Sequence, residues 1–351
     1  MTRAALLSLC LAVLASPATA VSPSSGCGHS LESGIHTMTY EGAERSYRLH
    51  VPSGYRQDTP LPVLLAFHGW GGNENDFLDE ATVRSATDRH GYIVVAPRGI
   101  GSGGADRSNN SWTFSGSATG LDGDGLNDSV PGDTAAICDT ASTPDYSYPS
   151  CKNSTPPAAA NTCSWTHCEG DDVAFSLALL KHITSSLCAD TDRVFATGGS
   201  NGGMFVWELG QNPQSAPAFR AIAPVIGLPH RGFSAAPGRA RPLPVLLVTG
   251  TLDTTVPPGP WENPGFTTTS NGSDRYFYTG ATAITRVWAR ANGCTLTTAA
   301  AFDDGIAETD CRSYCSGASG WPKVLDCRAK MGHDYGLPWS WNLILEFFDR
   351  M

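Results

Sequence analysis

Charge is scarce in this chain. Only 16% of its 351 residues are Asp, Glu, Lys or Arg, and 23 Lys and Arg face 33 Asp and Glu, for a formal net charge of −10. With 41% hydrophobic residues, that balance excludes a disordered chain and a coiled coil. It leaves no broad basic surface to hold a phosphate backbone, so no nucleic acid is expected as partner. Long apolar runs are missing too, apart from residues 4–15, which follow Arg3 and precede the small-residue triplet Ala18-Thr19-Ala20. That is the anatomy of a signal peptide over residues 1–20, with a mature chain expected to start at Val21. No later run approaches the ~18 apolar residues that span a bilayer, so no membrane association is expected and the product is expected outside the cell. A Ser-, Thr- or Pro-rich linker is absent as well, and residues 21–351 are read as a single domain.

Cysteine, by contrast, is plentiful. Cys10 falls in the leader, and the mature chain keeps Cys27, Cys138, Cys151, Cys163, Cys168, Cys188, Cys294, Cys311, Cys315 and Cys327. An even set in a secreted chain predicts disulfides, with pairings inside the C-terminal group of four. No Cys-x-x-Cys pair occurs, so no zinc site is expected. Asp122, Asp124, Asn127 and Asp128 have the look of a calcium loop, but Leu126 breaks the pattern, and no metal is expected there either. His167-Cys168-Glu169 precedes a helix and reads as ordinary acidic capping rather than a ligand cluster. Sequons at Asn109, Asn127, Asn153 and Asn271 are candidate glycosylation sites.

Short apolar runs bounded by Gly and Pro lie at 48–52, 62–67, 92–96, 193–196, 221–226 and 244–248. They predict strands, several buried on both faces. Helical periodicity occupies 171–187, 201–210, 282–291 and 339–349. Alternation of the two types predicts an α/β fold with a mostly parallel central sheet and helices on both faces. The stretch from about 113 to 163 is rich in Gly, Asp, Ser and Asn and carries cysteines, so it is expected to be a disulfide-pinned insertion on the surface.

The chemistry concentrates around one turn. Val194-Phe195-Ala196-Thr197-Gly198-Gly199-Ser200-Asn201-Gly202-Gly203 is a strand, a Gly-x-Ser-x-Gly turn and the start of a helix. That setting exposes a serine hydroxyl above a sheet at a helix N-terminus, as a nucleophile requires. A serine nucleophile needs a base, and the base needs a carboxylate to orient it. Asp253 stands in the loop after the 244–248 strand and His333 in Met331-Gly332-His333 before the last helix. The order Ser200, Asp253, His333 is the order of an α/β-hydrolase triad. His68-Gly69-Trp70-Gly71-Gly72 follows an early strand, and the main-chain N–H groups of Trp70 and Asn201 are the candidate oxyanion hole.

These motifs, together with the Gly-Thr-Leu-Asp loop ending in Val256-Pro257, resemble the secreted α/β-hydrolases that include fungal feruloyl esterases, acetyl xylan esterases and polyhydroxybutyrate depolymerases. The mature start Gly26-Cys27-Gly28-His29 is similar to the feruloyl esterase branch. The resemblance implies a cofactor-free serine carboxylesterase of the α/β-hydrolase fold, acting on feruloyl esters of plant cell wall polysaccharides such as arabinoxylan. No separate carbohydrate-binding module is expected in this chain. Acetyl xylan esterase and polyester depolymerase are the alternatives. A non-catalytic wall-binding protein on the same fold would have lost part of the triad, whereas all three positions are filled. Among aromatics near the motifs, Trp165, Phe205 and Tyr335 are candidate substrate contacts.

Overall fold

The computed structural model describes residues 21–101, 109–118, 137–143, 148–152, 163–262, 265–270, 272, 274–295, 298–315 and 322–351. The expected leader, the acidic run at 122–128 and the sequons at Asn127, Asn153 and Asn271 lie outside the described residues. Asn109 is described and partly exposed, in a left-handed conformation.

The strands are β1 (Gly34–Tyr40), β2 (Ala43–His50), β3 (Leu61–Phe67), β4 (Ile93–Pro97), β5 (Ala189–Gly199), β6 (Ala221–Val225), β7 (Val245–Gly250), β8 (Phe266–Thr268), β9 (Phe277–Thr279), β10 (Ala300–Phe302), β11 (Thr309–Ser313) and β12 (Val324–Ala329). The helices are α1 (Ala81–His90), the single turn α2 (Pro149–Lys152), α3 (Asp172–Ser186), α4 (Asn201–Gln211), α5 (Ala281–Ala291) and α6 (Pro338–Asp349). Ten strands form one sheet in the order β1-β2-β4-β3-β5-β6-β7-β12-β11-β10. From β4 to β12 every neighbouring pair is parallel, while β1, β2, β10 and β11 are antiparallel margins.

The parallel centre explains the near-continuous apolar runs, because side chains on both faces are buried. In β3, Val63, Leu65 and Phe67 enter one core with α3, α4 and α5, while Leu64 and Ala66 enter the other with α1 and α6. Parallel strands also put all their C-terminal ends, and so the loops that follow β3, β5, β7 and β12, along one rim. β2 starts earlier than the predicted strand, because residues 43–47 pair with β1.

The 113–163 segment is not a surface excursion throughout. Phe114, Ile137, Cys138 and Cys163 are buried in the main core beside Trp112, and Cys138–Cys163 and Cys151–Cys168 tie the segment down. The remaining bridges are Cys27–Cys188, Cys294–Cys315 and Cys311–Cys327, so the C-terminal four pair among themselves. No helix among the described residues is long and apolar enough to cross a membrane.

Candidate active site

β5 ends in Gly198-Gly199 and α4 begins at Asn201, so Ser200 sits on the turn between them with φ 54° and ψ −119°. That left-handed backbone is costly for a serine and is held from both sides: the Ser200 N–H donates to Val225 O at 2.9 Å and its carbonyl accepts from Met204 N–H at 2.9 Å. The flanking glycines are required by contact. A Cβ at Gly202 would stand 2.0 Å from Phe67 O, and one at Gly199 would stand 2.2 Å from the Tyr335 ring.

Ser200 Oγ lies 2.8 Å from His333 Nε2, and His333 Nδ1 lies 2.7 Å from Asp253 Oδ2. Asp253 is buried, and its second oxygen accepts the N–H groups of Thr255 (2.8 Å) and Val256 (2.9 Å). The carboxylate therefore both shapes its own turn and faces the imidazole. The loops carrying acid and base are joined, since Thr251 N–H donates to Ala329 O and Leu252 N–H to Met331 O. The structure thus brings together the three residues that sequence order singled out, from positions 200, 253 and 333.

Around Trp70, the neighbouring main-chain donors are committed: Gly69 N–H donates to Tyr335 Oη at 3.0 Å and Gly71 N–H to Asn110 O at 2.8 Å. His68 fixes the base of this turn. Its Nε2 accepts the Gly99 N–H at 2.9 Å, which assigns the proton to Nδ1, 2.7 Å from Gly69 O. Burial pushes the His68 imidazole down to about 4, which keeps it neutral. Asn201 opens α4, and its side chain reaches across to Trp112, accepting the Trp112 N–H at 2.7 Å and donating to its carbonyl at 2.9 Å.

Ser200 opens on a cleft of about 550 Å³ lined by Trp70, Trp165, Met204, Val256, Tyr276 and Tyr278, with Thr255, Thr269, Gly272 and Asp274 completing it. Trp165 lies on this wall as expected. Its indole N–H donates to His230 Nε2 at 2.9 Å, and its carbonyl accepts Trp70 Nε1–H at 3.1 Å. His230 is stacked between Phe114 and Tyr278, and burial pushes it down to about 4. Two candidate contacts fail. Phe205 is fully buried against Phe67 and Trp112, because it lies on the core face of α4. Tyr335 lies beneath the turn rather than in the cleft: its hydroxyl bridges Gly69 N–H and Asp76 Oδ2, and its ring abuts Gly199. Burial pushes the Tyr335 phenol up to about 12.

Sequence reasoning missed Tyr276, Tyr278 and Trp112. The alternation Tyr-Phe-Tyr at 276–278 was a usable signal, since residues two apart share one face of a strand. His167 is buried and bonds Asp172 Oδ2 at 2.9 Å. Burial alone would raise Asp172, but His167 and Arg45 more than reverse it and hold the carboxyl low. Asp171, not the His-Cys-Glu triplet, caps α3 through Ala174 N–H. Asp304, Cys311 and Cys327 also converge, but both sulfurs belong to one disulfide.

Comparison with known proteins places these features in context. A family model described as "Putative esterase" matches residues 39–125. A probable feruloyl esterase C of Aspergillus niger is 22% identical over 254 residues, covering 71% of this chain and 68% of the relative. Its Aspergillus flavus counterpart is 24% identical over 241 residues, and the chain spans 63% of that relative's length. Feruloyl esterase B of Piromyces equi is 35% identical over 131 residues, 36% of this chain and 23% of the relative. An acetyl xylan esterase from Aspergillus awamori superposes with a TM-score of 0.50 at 13% identity, covering 90% of this chain and 99% of that one, which supports the α/β-hydrolase fold.

Proposed function

We propose that this chain, a carboxylic ester hydrolase of the fungal feruloyl esterase-like kind, cleaves hydroxycinnamoyl esters from plant cell wall polysaccharide by two-step acyl transfer through Ser200. The observation that carries the reading is the continuous relay from Ser200 Oγ through His333 to buried Asp253, opening on a cleft walled by aromatic rings. Ser200 gives its proton to His333 Nε2 as Oγ attacks the ester carbonyl. Asp253 holds the Nδ1–H and stabilises the imidazolium. The oxyanion is assigned to the main-chain N–H groups of Trp70 and Asn201, where each such donor is worth about 3 kcal/mol in the transition state. His333 returns the proton to the departing sugar oxygen, and water repeats the sequence to free the acid.

The aromatic acyl group is assigned to the space between Trp70, Trp165, Tyr276 and Tyr278, whose rings offer flat apolar contact with a polar end. Five disulfides support an oxidising destination, in line with a secreted enzyme released from a leader at 1–20. Methyl hydroxycinnamates, acetylated xylan and a short-chain polyester assayed side by side test the substrate class, with the highest kcat/KM expected on the hydroxycinnamates. Preference for acetylated xylan would instead make this an acetyl esterase. Ser200→Ala is expected to lower kcat by about 10⁶-fold with the fold intact, and wild-type-like turnover in that variant would end the reading.

A further inference from the structure

At the N-terminal ends of the parallel strands, opposite the cleft, cations crowd into a recess of about 330 Å³. Arg220 directly precedes β6, Pro244 precedes β7, Lys323 precedes β12, and Arg350 follows α6. Arg239 and Arg241 close the ring from the loop before β7. No Asp or Glu lines this recess among the described residues. Five cations out of 23 in a chain of net charge −10 therefore share one pocket, which is not how a solvated acidic surface distributes its charge.

The partners of these groups leave three of the five positive charges without a carboxylate. Arg239 donates to the main-chain carbonyls of Ala216 and Phe219, and Arg241 to that of Pro217 at 3.2 Å. Arg220 donates at 2.6 Å to a main-chain oxygen of Met351, the last residue, where that oxygen belongs to a carboxylate. The carbonyl dipoles around Arg239 and Arg241 orient their guanidinium groups without neutralising them. Arg350 pairs with Glu346 at 3.3 Å on its own helix, which leaves Arg239, Arg241 and Lys323 with no carboxylate partner among the described residues. Burial, with Arg241 and Arg220 beside it, pushes Arg239 down to about 10, so it stays charged at neutral pH. Arg220, Arg241, Lys323 and Arg350 remain exposed.

We propose that this recess binds the carboxylate groups of an acidic polysaccharide, anchoring the enzyme by the face opposite its cleft. Guanidinium forks match carboxylate geometry, and the rings of Pro242 and Pro244 supply a rigid apolar wall beside them. A concave recess lined by cations and two prolines, with Met351 its one long apolar side chain, suits a chain laid into it better than a bilayer surface. A strand of five or six residues separates the recess from the catalytic rim by about 3.3 Å per residue, so one glycan can be gripped while another is cleaved. The choice of a glycan rests on the reading of the cleft as one for polysaccharide esters, so binding is measured apart from hydrolysis.

The test compares retention of the protein by polygalacturonate, by neutral arabinoxylan and by vesicles containing phosphatidylserine, over a range of salt. A molecule of net charge −10 is repelled by a polyanion unless a local patch holds it. Binding to polygalacturonate is expected to exceed that to arabinoxylan, to weaken as salt rises, and to fall at least about tenfold in R241E/K323E, with kcat/KM on a small soluble ester unchanged. K323E alone, on an exposed side chain, is expected to fall in the same direction and serves if the double variant misfolds. Equal affinity for charged and neutral chains, unchanged binding after charge reversal, or retention by the vesicles alone would overturn the proposal. Because a soluble ester reports on the cleft, loss of hydrolysis with binding retained would count against the ester reading and not against this site.

Discussion

Asp253 does two things with one carboxylate: one oxygen faces His333 Nδ1 at 2.7 Å while the other accepts two N–H groups of its own loop. Asn at this position keeps the shape and could keep the loop contacts, but an amide facing Nδ1 favours the wrong imidazole tautomer. Asp253→Asn is therefore expected to lower kcat by about 10⁴-fold while thermal unfolding stays close to wild type, measured on a methyl hydroxycinnamate. A drop under tenfold would mean that the carboxylate does not orient the base. The three residues of this relay were legible in the sequence because each sits in a local signature, and chain order linked them. Trp112 was not legible: its hold on Asn201 spans 89 residues, and nothing near position 112 announces it. Phe205 misled for the related reason that one turn of α4 carries both the serine's neighbour and a core residue, and sequence proximity does not separate them.

At the scale of elements, strands buried on both faces declared themselves as apolar runs, and the helices with a long apolar stripe did too. Elements at the margins did not. β10 is only three residues long and largely exposed, β11 is short and polar, and α1 buries only Val83, Ala86 and Thr87 in a largely polar decapeptide that ends at Gly91 in the left-handed region. The insertion was legible as cysteine-bearing but not as core, because its composition hides the few apolar residues that pack, Phe114 and Ile137. Cys151–Cys168 closes a span of 17 residues beside Trp165, which lines the cleft. Removing that bridge in C151A/C168A is expected to cost roughly 3 kcal/mol of stability. It is also expected to raise KM on feruloylated oligosaccharide more than on a small methyl ester, because the Trp165 wall loses its tether. Thermal unfolding and the ratio of the two kcat/KM values check this, and an unchanged ratio would detach the bridge from substrate choice.

At the scale of the whole molecule, the buried imidazoles set how stability depends on pH. His68 and His230 are both fully buried, and burial lowers each from 6.5 to about 4 in the folded protein. A folded value below the unfolded one means that acid favours the unfolded chain, which takes up protons that the folded chain refuses. Their contribution is complete above about pH 6.5 and is lost as pH falls toward 4. Asp172, held low by His167 and Arg45 against its burial, acts in the same direction at lower pH. Asp76 and Asp326, raised by burial, act in the opposite direction and soften the fall. Between pH 7 and 4.5, each histidine is expected to remove roughly 2–3 kcal/mol, so the urea midpoint should drop steeply across that interval. His230→Gln, which gives up the titration while an amide can still meet the indole N–H of Trp165, is expected to start lower at pH 7 and to lose less on acidification. An NMR titration of the wild-type imidazoles provides the independent reading, with both rings neutral in the folded protein at pH 5. A wild-type midpoint flat from pH 7 to 4.5, or either ring protonating near 6.5 in the folded state, would show that these histidines are not sealed from water as the fold places them.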